Sequence, residues 1–117
     1  MAALGDGGFL MSAGELYSAV RLGRPLLVVV YDDAAYGAEV HHFGPGGHAL
    51  DTVTFPDTDL AGIARGFGCA GLTVRTPGDL AAARDWLAGP RVRPLVIDAK
   101  VVSSHASWWL EEAFRGH

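Results

Sequence analysis

The sequence has a single cysteine, no long apolar segment and no run of basic residues, and each absence excludes a class of protein. Cys69 has no second cysteine with which to form an internal disulfide, so a reducing, cytoplasmic location is expected. No apolar stretch approaches the roughly 20 residues that cross a bilayer, and the N-terminus lacks the features of a signal peptide. The net charge of −4 and the lack of a basic run argue against nucleic acid. We therefore expect neither a membrane nor a nucleic acid as a partner.

Apolar residues and glycine are abundant. Of the 117 residues, 50% are hydrophobic and 19% are charged, which is typical of one globular domain with a substantial core. The 16 glycines cluster at 5–8, 44–47 and 62–71. Such clusters mark tight turns, helix ends or places where a ligand approaches the backbone closely.

Short apolar segments alternate with amphipathic segments along the chain. The segment "PLLVVVY" shows no alternation of polar and apolar residues, which is typical of a strand buried on both faces of a parallel sheet. The pattern predicts an α/β fold with an open, mostly parallel sheet and helices on both faces. Strands are predicted at roughly 1–4, 26–31, 69–75 and 94–99.

Three helices are predicted between these strands from their end signals. Ser12 and Glu15 fit a capping box, which predicts a helix from there to about Gly23. A second helix should begin at a cap, Asp57 or Thr58, and end at Gly68. The third has Thr76 as its cap, Pro77 at the first helical position and Gly89 after its end. Residues 34–54 show no period, and we expect a long functional loop there.

Two acidic motifs follow the first two predicted strands. "GDGG" follows the first strand and "YDD" the second, and ligands of open α/β sheets bind beyond the carboxyl ends of the strands. We expect Asp6 and Asp33 to face one crevice, where their oxygens would suit Mg²⁺ or Ca²⁺. The amides of Gly7 and Gly8 would be open to phosphate oxygens. A Rossmann fingerprint is excluded because it would need glycine where Leu10 stands, and no P-loop sequence follows.

Structural explanations for the same residues stay open. "GDGG" could be only a tight turn, and Asp32 and Asp33 could simply cap a helix. The histidines 41, 42 and 48 could form a metal site, although solvent-exposed or substrate-facing roles fit their spacing better. Trp108 and Trp109 are expected to pack against the sheet or a partner chain. Cys69 is expected to be buried and inert.

The two motifs together resemble the thiamine diphosphate-dependent enzyme family, in its acetolactate synthase-like branch. The sequence motif of that family is Gly-Asp-Gly, followed by a spacer and an Asn-Asn or Asn-Asp pair. This chain has "GDGGF" and then "YDDAAYG". The similarity continues through "TDLAGIARGFGCAGLTVRTPGDL" to "PLVIDAK" and covers nearly the whole chain.

The resemblance implies a set of cofactor residues. It implies that Mg²⁺ is bound by the side chains of Asp6 and Asp33 and by the carbonyl of Ala35. It further implies that the diphosphate of thiamine diphosphate lies against Gly7 and Gly8. The complete cofactor-binding set is Gly5, Asp6, Gly7, Gly8, Asp33, Ala35, Tyr36 and Gly37.

One position departs from the family pattern. Asp32 stands where the family usually has asparagine. The aspartate adds negative charge beside an anionic diphosphate. We assign Asp32 no ligand role and expect it to point away or to be neutralised by a hydrogen bond. Asp32→Asn is accordingly expected to be mild.

The resemblance also bears on domain organisation. It implies that residues 1–117 are the C-terminal thiamine diphosphate-binding domain, incomplete at its N-terminus. The pyrimidine-binding domain, on the same or another chain, would supply the activating glutamate, and the full enzyme would be a homo-oligomer. No catalytic residue is assigned. Three interpretations stay open: part of an enzyme that decarboxylates or carboligates 2-oxo acids, a non-catalytic binding module, and an inactive remnant.

Overall fold

A four-stranded parallel sheet forms the centre of the molecule. The computed structural model describes residues 1–115. The strands are Ala2–Gly5 (β1), Leu27–Asp32 (β2), Ala70–Val74 (β3) and Leu95–Lys100 (β4). All neighbouring strands run parallel, in the order β1-β2-β4-β3. The four predicted strands and their parallel arrangement are confirmed, and their carboxyl ends lie along one edge.

Helices cover both faces of this sheet. Their bounds are Asp6–Ser12 (α1), Glu15–Leu22 (α2), Gly37–Phe43 (α3), Leu60–Gly66 (α4), Ala81–Ala88 (α5) and Trp108–Ala113 (α6). Short 3₁₀ turns occupy Gly44–Gly46 and Pro77–Leu80. No helix within residues 1–115 is long and apolar enough to cross a membrane.

The core has two parts because alternate residues of the strands point to opposite faces. On one face, Val30 and Val96 are fully buried among residues of α1, α2 and α4, such as Phe9, Leu16 and Leu60. On the other face, Leu95 and Ile97 pack with α5 and its neighbours. Cys69 lies in the first part and is 2% exposed, so its predicted burial is confirmed.

The predicted caps are partly wrong. Ser12 is the last residue of α1, and its hydroxyl donates to the Gly8 carbonyl at 2.8 Å, so it cannot cap α2. The helix α2, which begins at Glu15, has no side-chain cap from the described residues. The cap of α4 is Asp59, which accepts the amide of Gly62 at 2.7 Å, and neither Asp57 nor Thr58 fills this role.

The cap at Thr76 is confirmed. The carboxylate of Asp79 accepts the Thr76 amide at 2.8 Å, and a 3₁₀ turn leads into α5. Gly89 directly follows the last residue of that helix. In this segment the sequence signals and the packing of the helix agree.

The segment 34–54 is not a continuous loop. It contains α3 and the 3₁₀ turn at Gly44–Gly46. None of the residues of α3 is buried, so its apolar residues need not repeat with the period of a helix. That absence of a buried face is why the sequence showed no helical pattern here.

Candidate functional site

The two acidic motifs meet at the carboxyl edge of the sheet. Gly5, the last residue of β1, pairs with Tyr31 near the end of β2, so the two motifs follow neighbouring strands at the same level. Asp6 begins α1 and is 3% exposed, whereas Asp33 is half-buried directly after β2. The predicted meeting of these two carboxylates at one crevice is therefore what the sheet register produces.

The Asp6 carboxylate joins the motifs directly. Its Oδ1 accepts the amide of Gly7 at 2.9 Å, and its Oδ2 accepts the amide of Ala35 at 3.1 Å. Burial raises the pKa of Asp6 to about 6; the Gly7 amide opposes this shift and the nearby charge of Asp33 adds to it. A cation between the two carboxylates would lower this cost of ionising Asp6.

Asp33 shows the same electrostatic situation. Burial raises its pKa above the ordinary value, and the charge of Asp32 adds to the effect, while backbone amides partly offset it. Its carboxylate packs against Gly37, at the place where a β-carbon on that residue would be. Glycine at 37 thus leaves the room that the Asp33 side chain occupies.

The turn that follows Asp33 has an unusual backbone. Ala34 has φ 58°, in the left-handed region that residues with a β-carbon rarely adopt. Its amide donates to Asp32 Oδ1 at 3.0 Å, and its carbonyl accepts the amide of Phe55 at 2.7 Å. The amide of Tyr36 donates to the Val53 carbonyl at 2.8 Å. Hydrogen bonds with Asp32 on one side and with Val53 and Phe55 on the other therefore fix the turn.

Asp32 itself is turned toward a lysine. Lys100, which pairs with Asp32 in the register of β2 and β4, places its Nζ 2.5 Å from Asp32 Oδ2. Burial raises the pKa of Asp32, but the hydrogen bonds from Lys100 and Ala34 outweigh it and lower the pKa overall. The expectation that a hydrogen bond neutralises Asp32 is confirmed, and the donor is one that the sequence analysis missed.

A cleft of about 810 Å³ lies over these motifs. One wall consists of the residues already described, and the other comes from the segment 101–110 before and within α6. The predicted cofactor residues all line it: Gly5, Asp6, Gly7, Gly8, Asp33, Ala35, Tyr36 and Gly37. The structure therefore brings the whole predicted set to one cavity. The prediction of an open amide is wrong for Gly7, because Gly7 is buried and its amide already donates to Asp6 Oδ1.

The oxygen donors of the cleft fit a hard divalent cation that also binds oxygens of a ligand. Among residues 1–115, no group of three or more His, Cys, Asp or Glu side chains could hold a metal ion. Asp6 and Asp33 supply two carboxylates, and no hydrogen bond to the Ala35 carbonyl is found in this described part of the chain. A cation here would complete its shell with oxygens of a bound phosphate and water.

The sequence matches a known protein family over most of its length. Residues 1–99 match the family described as "Thiamine pyrophosphate enzyme, C-terminal TPP binding domain", thiamine pyrophosphate being another name for thiamine diphosphate. The chain belongs to this family. It is a thiamine diphosphate-binding domain related to that of acetolactate synthase.

Curated relatives and solved structures agree with this membership. Acetolactate synthase of Bacillus subtilis (strain 168) is 39% identical over 77 residues, which are 66% of this chain and 14% of that protein. The 3D-(3,5/4)-trihydroxycyclohexane-1,2-dione hydrolase of Halalkalibacterium halodurans is 30% identical over 121 residues, covering 92% of this chain and 19% of that protein. The thiamine diphosphate-dependent 4-hydroxybenzoylformate decarboxylase of Rhodococcus jostii RHA1 has the same fold, with TM-score 0.73 and 24% identity over 88% of this chain and 20% of its own. The chain thus spans less than a quarter of the length of each of these relatives.

The thiamine diphosphate-binding domain has buried charged residues beside the cleft that the sequence analysis did not single out. Asp98 falls within the predicted strand 94–99 and Lys100 directly follows it, and the sequence pattern gave neither residue a role. Both are largely buried, and charged residues within a buried strand are the signal that could have found them. Tyr31 and Trp109 also line the cleft.

The remaining candidates have separate surroundings. His41 lines the cleft, whereas His42 packs its ring against Phe43 and Phe114. The His48 ring lies 5.7 Å from that of Phe43. Trp108 and Trp109 are 80% and 57% exposed. The prediction that Trp108 packs against the sheet is therefore wrong. Contact of both tryptophans with a partner chain stays a prediction.

Proposed function

We propose that the cleft binds Mg²⁺ and thiamine diphosphate. In this proposal Asp6, Asp33 and the carbonyl of Ala35 hold the metal, and the metal carries the diphosphate. The observation that supports it is a pair of carboxylates on one cleft, Asp6 buried and Asp33 half-buried, both with raised pKa values and joined through the Ala35 amide. Gly8 has free space around its α-carbon, because a β-carbon there would meet its nearest neighbour, Leu4, only at 4.0 Å. In this proposal, that open space would let a phosphate approach the Gly8 backbone.

The two ends of the cleft would have different tasks. The residues at the sheet edge would bind and orient the cofactor, while Tyr36 and Gly37 would close the far side of the diphosphate. When bound, thiamine diphosphate supplies a stabilised carbanion for chemistry at a carbonyl carbon. The protein's contribution would be position and the exclusion of water by the wall formed by 101–110.

For the whole protein we propose an enzyme that decarboxylates or carboligates 2-oxo acids. The similarity to acetolactate synthase supports this class. A pyrimidine-binding domain, from the same or another chain, would complete the cofactor site within a homo-oligomer. The single buried cysteine is consistent with the cytoplasm, which stays a prediction.

Binding and turnover are separable properties of this chain. The acidic side chains that line the cleft are Asp6, Asp33 and Glu39, in the part of the chain that the structure describes. With two of them on the metal, Glu39 would be the only one of these acids left for proton transfer. Because the activating glutamate would come from the pyrimidine-binding domain, we expect the chain alone to bind without turnover, as a non-catalytic module would. Glu39 is the residue to substitute if carbon dioxide forms from pyruvate.

The binding test is a calorimetric titration of thiamine diphosphate into the full chain, with Mg²⁺ or with EDTA. Binding should require Mg²⁺, and Asp33→Ala should abolish it. Asp51→Ala is the matched control because Asp51 is an exposed aspartate outside the cleft. Equal affinity in Asp33→Ala and in the control would contradict the metal assignment.

A further inference from the structure

Lys100 connects three parts of the chain next to the proposed cofactor site. Its Nζ lies 2.5 Å from Asp32 Oδ2 and donates to the Thr58 carbonyl at 2.8 Å. It also forms ion pairs with Asp57 at 2.8 Å and with Asp98 at 3.2 Å. The lysine side chain is only 13% exposed, so these oxygens replace most of its water.

The carboxylate of Asp32 links this lysine to the turn that follows. One oxygen accepts from Lys100, and the other accepts from the amide of Ala34 at 3.0 Å. A carboxylate that is 5% exposed needs a compensating charge, because an isolated buried anion is strongly destabilising. Lys100 provides that charge. The Asp32 carboxylate, held by Lys100, in turn fixes the Ala34 amide that donates to it.

The turn depends on such support. Ala34 adopts a left-handed conformation that its β-carbon makes unfavourable, so outside bonds must hold it. The next amide, of Ala35, donates to Asp6 at 3.1 Å, which places the Ala35 peptide against the first carboxylate of the site. A loosened Ala34 would therefore move both Asp33 and Ala35.

We propose that Lys100 is a positioning residue: by binding Asp32 it fixes the turn 32–36 and, with it, the Asp33 carboxylate and the Ala35 carbonyl. The role of the turn in holding Mg²⁺ rests on the proposed function, whereas its fixation by Lys100 does not. Within residues 1–115, none of the polar contacts of the Lys100 side chain is to a residue of the cleft wall, so it acts through Asp32.

The test compares four variants of the full chain with the wild type. Lys100→Met removes the charge and keeps an unbranched side chain. Arg75→Met is the matched control, since Arg75 forms an ion pair with the same Asp57 at 2.8 Å but lies outside the Asp32 contact. Asp32→Asn and the double variant Asp32→Asn/Lys100→Met complete a cycle that isolates the pair.

Two measurements separate local positioning from general stability. The first is hydrogen exchange of the amides of Ala34, Ala35 and Tyr36 in the cofactor-free chain. The second is the Mg²⁺ concentration that gives half-maximal binding of thiamine diphosphate. Lys100→Met should speed exchange at Ala34 and Ala35 and raise the Mg²⁺ requirement about 10-fold to 100-fold, the usual effect of losing a group that orients a metal ligand. Arg75→Met should leave both within about twofold of the wild type.

The cycle has a definite expected pattern. Asp32→Asn should also raise the Mg²⁺ requirement, because one amide oxygen cannot replace both carboxylate oxygens and the amide nitrogen would face the ammonium of Lys100. This expectation replaces the mild effect suggested by the sequence. In the double variant the ammonium is gone, so the amide nitrogen no longer faces a positive charge, and binding should recover relative to either single variant.

Several results would overturn the inference. Unchanged exchange at Ala34 in Lys100→Met, or an effect equal to that of Arg75→Met, would show that Lys100 does not hold the turn. If Lys100→Met does not fold, the double variant decides: recovered folding supports the pair, and continued failure contradicts it. If the wild type does not bind thiamine diphosphate with Mg²⁺, the proposed function fails, while the exchange data still decide whether Lys100 fixes the turn.

Discussion

The aromatic ring of Tyr36 occupies the space that a β-carbon on Gly7 would need. The ring is held in place at its edge by Phe55, with 4.9 Å between the ring centroids. Glycine at 7 is therefore required by the packing of the second motif on the first, in addition to any access it gives to a phosphate. The two motifs interlock as a single unit.

Gly7→Ala should consequently destabilise the fold. The added methyl group would overlap the Tyr36 ring, and overpacking of this kind costs about 1–3 kcal/mol. Gly8→Ala is the matched control, because its methyl group would meet Leu4 only at 4.0 Å and alanine favours the helix by about 0.5–1 kcal/mol. Urea unfolding measures the free energy of unfolding of both variants. If Gly7→Ala were as stable as Gly8→Ala, the two motifs would not interlock as described.

Gly37→Ala should separate binding from stability. The new β-carbon would take the place of the Asp33 carboxylate, which can swing away at little cost because it is the end of a flexible side chain. We expect the free energy of unfolding to change by less than about 1 kcal/mol, while Mg²⁺-dependent binding of thiamine diphosphate falls about 10-fold or more. Gly14→Ala, where a β-carbon would meet none of the described residues within 4 Å, should alter neither quantity appreciably. Binding as tight as in the wild type would mean that Asp33 need not occupy its observed position.

The stability of the metal-free chain should depend on pH through Asp6. Its pKa rises from 3.8 to about 6, first because of burial, so the folded chain holds a proton that the unfolded chain releases. The protonated carboxyl stabilises the fold fully below about pH 4, and this contribution is lost as the pH rises through about 6. Urea unfolding in EDTA should show the wild type losing up to about 3 kcal/mol over this range relative to Asp6→Asn. Parallel pH profiles for the two proteins would contradict the shifted pKa.

Cys69 should react with thiol reagents only when the chain unfolds. Its side chain is 2% exposed, and burial raises the pKa of the thiol, so thiolate is scarce and inaccessible in the folded chain. Labelling with iodoacetamide should be slow in buffer and should accelerate through the urea transition. Labelling in buffer at the rate of the unfolded chain would show that the core around Cys69 opens readily.

The strands and the longer helices could be predicted because their signals are local. The buried run at β2, the amphipathic spacing of α4 and the cap at Thr76 each lie within a few consecutive residues. The segments α1, α3 and α6 were missed for a physical reason. Helix α1 begins inside the glycine-rich motif, α3 buries none of its residues, and α6 buries Leu110 alone among its six, so none of the three shows a helical pattern of apolar residues.

The sequence by itself determined the class of fold and the two acidic motifs, because a parallel sheet puts every strand's carboxyl end at one edge. That rule brings Asp6 and Asp33 together without further information. Only the tertiary structure decided how they are held. Lys100 reaches Asp32 across 68 residues, and the Ala35 amide reaches Asp6 across 29. Such contacts follow from the register between strands and from the left-handed turn at Ala34, and no local pattern of residues records either of them.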